Sequence, residues 1–441
     1  MSFSGFRILS ACALGLLAAA CGGGGGGAAA TGDGTAQSAP VATSNAGDCG
    51  SDHWVSAWQA PPTDAGAEDP GLATPAYGAA QTLRVIISPL GSGCSVRVHL
   101  SNRFGTTPVS FSRVRLARRL AGAAIDPATI MPVTFSGQDA LTLAAGADQV
   151  SDPVRFAVSS LEDVAVSIAA TDPGAAPTRH YVARQHSYLT MPGAGDHADD
   201  GAAAAFVQSS SSRPFVTGLD VLAAPAGAAV VTLGDSLTDG FQGPPSTLPE
   251  DSATLDLNQR YPDFLQRRID AAGLALSVSN AGISGNRVSQ DGALPAFGPM
   301  ALTRVDADVL QQAGVRTVIL SEGLNDIALA PGVPADQLEQ AYISLIAKLH
   351  AAGLRVVQAT LTPTGNAGAG FSNAEVVAER EAVNAWIRGS SPADAIVDFD
   401  AALRDPADPG AIAAQYDGGD GLHLNAAGYA HMADAIDLGG L

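Results

Sequence analysis

Val-Val-Thr-Leu-Gly-Asp-Ser-Leu-Thr-Asp-Gly, residues 230–240, reads as an apolar strand that ends abruptly in a Gly-Asp-Ser turn. A continuous apolar run of this length, without polar alternation, suits a strand buried on both faces, as in a parallel sheet. The run begins at residue 228, and similar runs follow at 276–280, 315–320, 354–360 and 396–399. Helical stretches separate them, at 261–272, 301–313, 335–352 and 374–388, and a last helix is expected over 426–436. This strand, turn and helix alternation predicts a βαβ series, hence a parallel sheet flanked by helices.

The polar punctuation falls where such a sheet collects ligands, along the rim formed by the carboxyl ends of its strands. Ser236, Gly285 in Asn-Ala-Gly-Ile-Ser-Gly-Asn, and Asn325 in Glu-Gly-Leu-Asn-Asp each follow an expected strand, and Asp420-Gly-Leu-His423 precedes the last helix. A serine hydroxyl needs a base, and His423 is the candidate. Asp420 can reach the second ring nitrogen of His423 and fix its tautomer, a better orienter than Asp417. Gly285, without a Cβ, can bring its N–H close to a developing oxyanion, and the Asn325 amide and the Ser236 N–H complete that set of donors. Asp235 and Asp326 are expected to hold the turns by accepting from loop amides. Asn286 and Arg287 are expected at the mouth of the cleft.

These four ordered blocks resemble those of the SGNH hydrolase superfamily, the GDSL esterases. Its name lists the serine, glycine, asparagine and histidine found here as Ser236, Gly285, Asn325 and His423. The likeness spans residues 228–436, and no Gly-x-Ser-x-Gly elbow of the α/β-hydrolase type occurs. The resemblance implies a three-layer α/β/α, flavodoxin-like domain. It also implies ping-pong ester hydrolysis with no metal and no other cofactor.

Residues 50–222 are patterned differently. Period-two alternation at 82–88, 94–100, 109–116 and 163–168, divided by Gly, Pro and Asn clusters, predicts an all-β sandwich. Trp54, Trp58 and Ser101-Asn-Arg-Phe-Gly105 resemble the β-rich domain that precedes the catalytic domain in exported bacterial members of that superfamily. Trp54 and Trp58, alternating with Val55 and Ala57, are expected on one strand face packing against the core. Trp386, on an amphipathic helix, is likewise expected in a core. His180, His186 and His197 with Asp196, Asp199 and Asp200 fit no standard metal-binding spacing.

At the N-terminus, Arg7 and the apolar run 8–20 form an export signal, too short to span a bilayer. The run ends in Leu-Leu-Ala-Ala-Ala-Cys before a glycine tract. This resembles a bacterial lipoprotein signal, in which Cys21 would be lipidated; the alternative is an ordinary signal cut near residue 20. The expected organisation is therefore a signal at 1–21, a flexible tether at 22–48, a sandwich at 49–222 and a hydrolase domain at 227–441. Cys49 and Cys94 remain as an even pair, expected to form a disulfide after export.

The 441-residue chain carries 23 Lys plus Arg against 43 Asp plus Glu, a net charge of −20, which disfavours nucleic-acid partners. Any membrane association is expected only through the N-terminal anchor, at a periplasmic, outer-membrane or cell-surface location, or else the protein is secreted. The substrate is expected to be a small-molecule or polysaccharide ester with a short acyl group such as acetyl. A lipase, lysophospholipase or acyltransferase of the same fold is the alternative within the class, and a catalytically silent glycan-binding protein the alternative outside it.

Overall fold

The structure, a computed structural model, describes residues 53–66, 75–174, 176–243 and 254–441. The export signal, Cys21, the tether and Cys49 lie outside the described residues, and so therefore does the expected Cys49–Cys94 bridge.

The N-terminal half is β-rich and antiparallel. One sheet runs in the order Trp54–Gln59, Val216–Leu222, Val96–Ser101 and Asp148–Val150. The other is built around Gln81–Ile87, Val164–Asp172 and Val109–Ala121, which pair in that order. Alternate residues of both sheets meet in one core, with Val98, Leu100 and Leu219 from the first against Val85, Ile168 and Phe111 from the second. Fully burying an aliphatic side chain of this size contributes about 1.5–3 kcal/mol, which is what holds the sheets face to face.

A β-bulge changes one expectation here. The register of strand Trp54–Gln59 slips between Ser56 and Trp58, so that Val55 faces Val221 and Trp58 faces Leu219. One extra residue reverses the side-chain alternation. Trp58 therefore joins Val55 in the core, and its former strand-mate Trp54 stays half-buried beneath the Arg97 guanidinium, 4.3 Å from the ring centre.

In the C-terminal half five parallel strands are hydrogen-bonded in the order Leu276–Gly282, Ala228–Gly234, Val315–Ser321, Arg355–Ala359 and Ala395–Val397. In chain order this is 2-1-3-4-5, the flavodoxin-like winding, with its switch point beside the strand that carries Ser236 at its end. Val230 and Ile319 face helices Tyr261–Ala271 and Ala426–Asp434 through Leu265, Ile269 and Met432. Their neighbours Val231 and Val318 face the opposite layer, where Leu338, Leu345 and Leu349 form the buried stripe of helix Ala335–Ala351. The strand period of two and the helix period of 3.6 thus produce three layers.

The expected helix over 301–313 is α-helical only at Ala301–Val305 and then widens into a π-helical turn, Asp306–Leu310, with Gln311 N–H donating to Asp306 O. The buried Asp308 lies in that turn, bonded by Arg304 at 3.2 Å and by Arg103 of the β-rich half at 3.4 Å.

The described residues fall in one compact unit, in which the two halves interlock. Ser56 Oγ meets Ser279 Oγ at 2.8 Å, Ser277 Oγ donates to Ser56 O, and Val278 N–H, on the edge strand, donates to Leu90 O. The outward amide of Val278 is shared between Leu90 O of the β-rich half at 3.1 Å and Gln266 Oε1 of the flanking helix at 2.8 Å. Among the described residues no helix is long and apolar enough to cross a membrane.

Candidate active site

Ser236, Gly285 and Asn325 each follow a strand end, and Asp420 and His423 come from the loop before the last helix. Strand Ala228–Gly234 ends on a residue with no room for a side chain: a Cβ at 234 would lie 2.0 Å from Thr238 Oγ1 and 2.4 Å from Ser321 O. The chain then turns into the short helix Ser236–Asp239, capped by Asp235, whose carboxylate accepts from Leu237 N–H at 3.0 Å. Burial pushes the Asp235 carboxyl up to about 6, although the Leu237 bond and nearby His423 oppose the shift.

Ser236 Oγ lies 3.0 Å from His423 Nε2, and His423 Nδ1 lies 2.8 Å from Asp420 Oδ2. The other Asp420 oxygen accepts the backbone N–H groups of Leu422 and His423 at 3.0 and 2.8 Å. Burial alone would raise the Asp420 carboxyl, but the bonds from the His423 ring and these two amides outweigh it and hold the group below its ordinary range. Asp417 shapes the loop instead, its Oδ1 accepting from Gly419 and Gly421 N–H. Phe241 stands edge-on to the His423 ring, 4.7 Å between centroids.

Three donors gather beside the serine. Neither the Ser236 nor the Gly285 N–H has an acceptor among the described residues. Asn325 Nδ2 gives one hydrogen to Asn286 O at 2.9 Å, which leaves its second for the cavity that it lines. Gly285 has a φ of +78°, and a Cβ there would lie 2.4 Å from the Phe297 ring.

Asn286 and Arg287, expected at the cleft mouth, are buried instead, at 0% and 1% exposure. Asn286 Nδ2 donates to Phe297 O and Pro299 O, and Arg287 reaches towards Ala330 O and Pro331 O at 3.4 Å. Their place directly after Gly285 suggested exposure; the carbonyls of 297 and 299 for Asn286, and of 330 and 331 for Arg287, turned the side chains inwards. Asp326 accepts from Val288 and Ser289 N–H at 2.8 and 2.9 Å, tying the same loop to the strand end that carries Asn325.

Arg304 was not singled out from the sequence, yet it clamps the rim from below. Its guanidinium donates to Gly234 O at 3.0 Å, Ala281 O at 2.8 Å and Asn286 Oδ1 at 2.7 Å, and so touches the loops of Ser236 and Gly285. Arg304 also stands 3.6 Å from Glu322, whose two carboxylate oxygens accept no hydrogen bond among the described residues. Burial pushes Glu322 up to about 8, against the pull of Arg304 and with help from Asp235 and Asp326. Because the folded value lies above the unfolded one, the folded chain binds the extra proton, and stability falls as pH rises from about 4.5 to about 8. Across that window Glu322→Gln should gain on the wild type by up to about 1.4 kcal/mol per pH unit. Thermal melts of both proteins at pH 5 and pH 8 check this; a difference in Tm that stays constant with pH refutes it.

The cavity in front of Ser236 measures about 590 Å³. Its apolar wall, missed in the sequence, includes Tyr181 and Val182 from the β-rich half and Phe241, Phe297, Leu329 and Phe371 from the other. Only Phe241, directly after the Ser236 block, carried a local signal. Trp386 is stacked on Tyr342 at 6.1 Å, packed against the helical core. The histidines divide between separate carboxylates, His186 to Asp256 and His197 to Asp200, while Arg113 takes Asp196 and Asp199. No group of three or more His, Cys, Asp and Glu side chains could hold a metal among the described residues.

Residues 232–431 match the family model described as GDSL-like lipase/acylhydrolase. No curated protein matches the chain. Among solved structures it is similar to a putative lipolytic protein of the G-D-S-L family from Desulfitobacterium hafniense, at 20% identity over 47% of this chain and 97% of that one, with a TM-score of 0.35. It is similar also to Est24, a carbohydrate acetylesterase from Sinorhizobium meliloti, at 18% identity over 47% and 96%, TM-score 0.36. A lipase/acylhydrolase from Enterococcus faecalis aligns at 20% identity over 47% and 93%, TM-score 0.36.

Proposed function

We propose that this carboxylic ester hydrolase, whose residues 232–431 are a GDSL-like lipase/acylhydrolase domain, works through Ser236 as nucleophile, His423 as base and Asp420 as its orienting acid. The observation that carries the reading is the unbroken contact from Ser236 Oγ through His423 to Asp420, opening on a cavity with unused N–H donors.

In this reading Ser236 Oγ attacks the ester carbonyl carbon while His423 Nε2 takes its proton. The oxyanion gathers the Ser236 and Gly285 N–H groups and the free Asn325 hydrogen. His423 returns the proton to the leaving alcohol, and water repeats the sequence to release the acid and free serine.

We infer further that the acyl group is apolar and larger than acetyl. The cavity of about 590 Å³ falls within the usual range of small-molecule sites, and a two-carbon acyl group would leave most of its aromatic and aliphatic wall uncovered. This departs from the acetyl expectation raised by the sequence. With the export signal at residues 1–21, the setting is a periplasmic or cell-surface one, and esters of apolar acids rather than acetylated polysaccharide are the substrate class.

The test is a series of p-nitrophenyl esters from acetate to decanoate, with fluorophosphonate labelling mapped to the modified residue. Each methylene buried is worth about 0.8 kcal/mol, so kcat/KM should rise by up to about fourfold per carbon from acetate towards octanoate. Highest kcat/KM on acetate overturns the acyl assignment; label on a residue other than Ser236 overturns the nucleophile.

A further inference from the structure

One buried side chain of the β-rich half reaches the rim of the site. His180, on the short strand Arg179–His180, is 2% exposed. Its Nδ1 lies 2.8 Å from Pro61 O, and its Nε2 lies 3.1 Å from Val182 O and 3.0 Å from Asp239 Oδ1. Val182 O and Asp239 Oδ1 are both acceptors, so Nε2 is the donor on that side of the ring.

Asp239 belongs to the same short helix as Ser236, three residues on, and is itself 2% exposed. Its second oxygen holds the opposite loop: Oδ2 accepts the Ser284 N–H at 3.0 Å and the Ser284 hydroxyl at 2.7 Å. Ser284 lines the cavity and directly precedes Gly285. Neither His180 nor Asp239 bonds the Ser236 hydroxyl, so their influence on the reaction has to pass through position.

We propose that His180 is a positioning residue for the ester hydrolysis. Through Asp239 it fixes Ser284, and so it sets the place of the Gly285 N–H in the oxyanion site. This makes the β-rich half part of the reaction centre, beyond the walls contributed by Tyr181 and Val182. The inference rests on the roles given above to Ser236 and Gly285. A buried carboxylate that loses one of its donors moves to find another or draws in water, and its remaining partners move with it. A displacement of about 1 Å at a reacting group costs on the order of a hundredfold in rate.

The experiment compares the wild-type chain with His180→Ala, His180→Gln, Ser284→Ala and, as control, Ser236→Ala. Turnover of p-nitrophenyl butyrate is expressed per serine titrated by a fluorophosphonate, so that unfolded molecules do not count, and for Ser236→Ala per chain folded by circular dichroism. His180→Ala is expected to lower kcat about ten- to a hundredfold with KM within twofold of wild type. His180→Gln, which keeps a donor for Asp239, should recover most of that loss. Ser284→Ala removes one of the two bonds to Asp239 and should lower kcat about threefold to tenfold.

A purely structural role would lower Tm and the titratable fraction and leave kcat per site unchanged. Unchanged kcat per site in His180→Ala overturns the proposal, and where that variant yields no folded protein, unchanged kcat in Ser284→Ala does so. These results with an inactive Ser236→Ala overturn the positioning pair alone. Turnover retained by Ser236→Ala overturns the nucleophile assignment, and the pair with it.

Discussion

Asp420→Asn is expected to lower kcat by about 10⁴-fold while the protein stays folded, and the reason lies in how its two oxygens are used. Oδ1 is pinned by two backbone donors, the N–H groups of Leu422 and His423, and Oδ2 alone faces His423 Nδ1. An asparagine keeps its carbonyl oxygen on the two amides, because an NH₂ group there would meet two donors. Its NH₂ then faces Nδ1, which has to become an acceptor, and the hydrogen moves to Nε2. The imidazole now presents N–H instead of a lone pair to Ser236 Oγ, 3.0 Å away, and the serine has lost its base. The defect should therefore fall on kcat, with KM and Tm nearly unchanged. His423→Ala removes the base altogether and should cost more, about 10⁶-fold. Steady-state kinetics of the two variants decide the matter. An Asp420→Asn enzyme within tenfold of wild type would mean that the carboxylate does not set the tautomer.

The candidate site was legible in the sequence to the extent that strand ends are legible. Apolar runs closing on Gly-Asp-Ser, on Ser-Gly-Asn and on Gly-Leu-Asn-Asp announce where a parallel sheet stops, and a common rim follows from the fold. Contacts that join distant segments left no such mark. His180 and Asp239 are 59 residues apart and lie in differently patterned halves, so neither periodicity nor turn chemistry links them. Arg304 sits on a helix that the sequence pattern does announce, but nothing local marks its guanidinium as buried against three backbone or side-chain oxygens of the rim. The cavity wall was hidden for a similar reason. Aromatic residues such as Phe297 and Phe371 occur singly in loops and short turns, and only the tertiary fold assembles them into one surface. The bulge at Ser56–Trp58 shows the limit from the other side, since a strict alternation places Trp58 with Trp54 and one inserted residue reverses it.

Gly285→Ala should cost about 10²–10³-fold in kcat, with little change in KM, because two independent constraints meet at one position. A φ of +78° lies in the left-handed region, where an alanine is disfavoured by about 1–2 kcal/mol. The added methyl would also stand 2.4 Å from Cγ and Cδ1 of Phe297, well inside van der Waals contact. Phe297 cannot retreat freely: its carbonyl accepts from Asn286 Nδ2, and Asn286 in turn carries Arg304 on its side chain and Asn325 on its backbone oxygen. Whatever the ring does, the φ penalty falls on the loop of residue 285 itself, and relief there takes the N–H away from the oxyanion. The ester's ground state does not need that donor, so binding is spared and the transition state is not. Removing the ring separates the two constraints. Phe297→Ala combined with Gly285→Ala abolishes the collision and leaves the φ penalty, so the double variant should recover about tenfold over Gly285→Ala, and not the whole loss. Full recovery would assign the defect to crowding alone. A Gly285→Ala enzyme with wild-type kcat would remove the Gly285 N–H from the oxyanion site, because the φ penalty remains even where the Phe297 ring gives way.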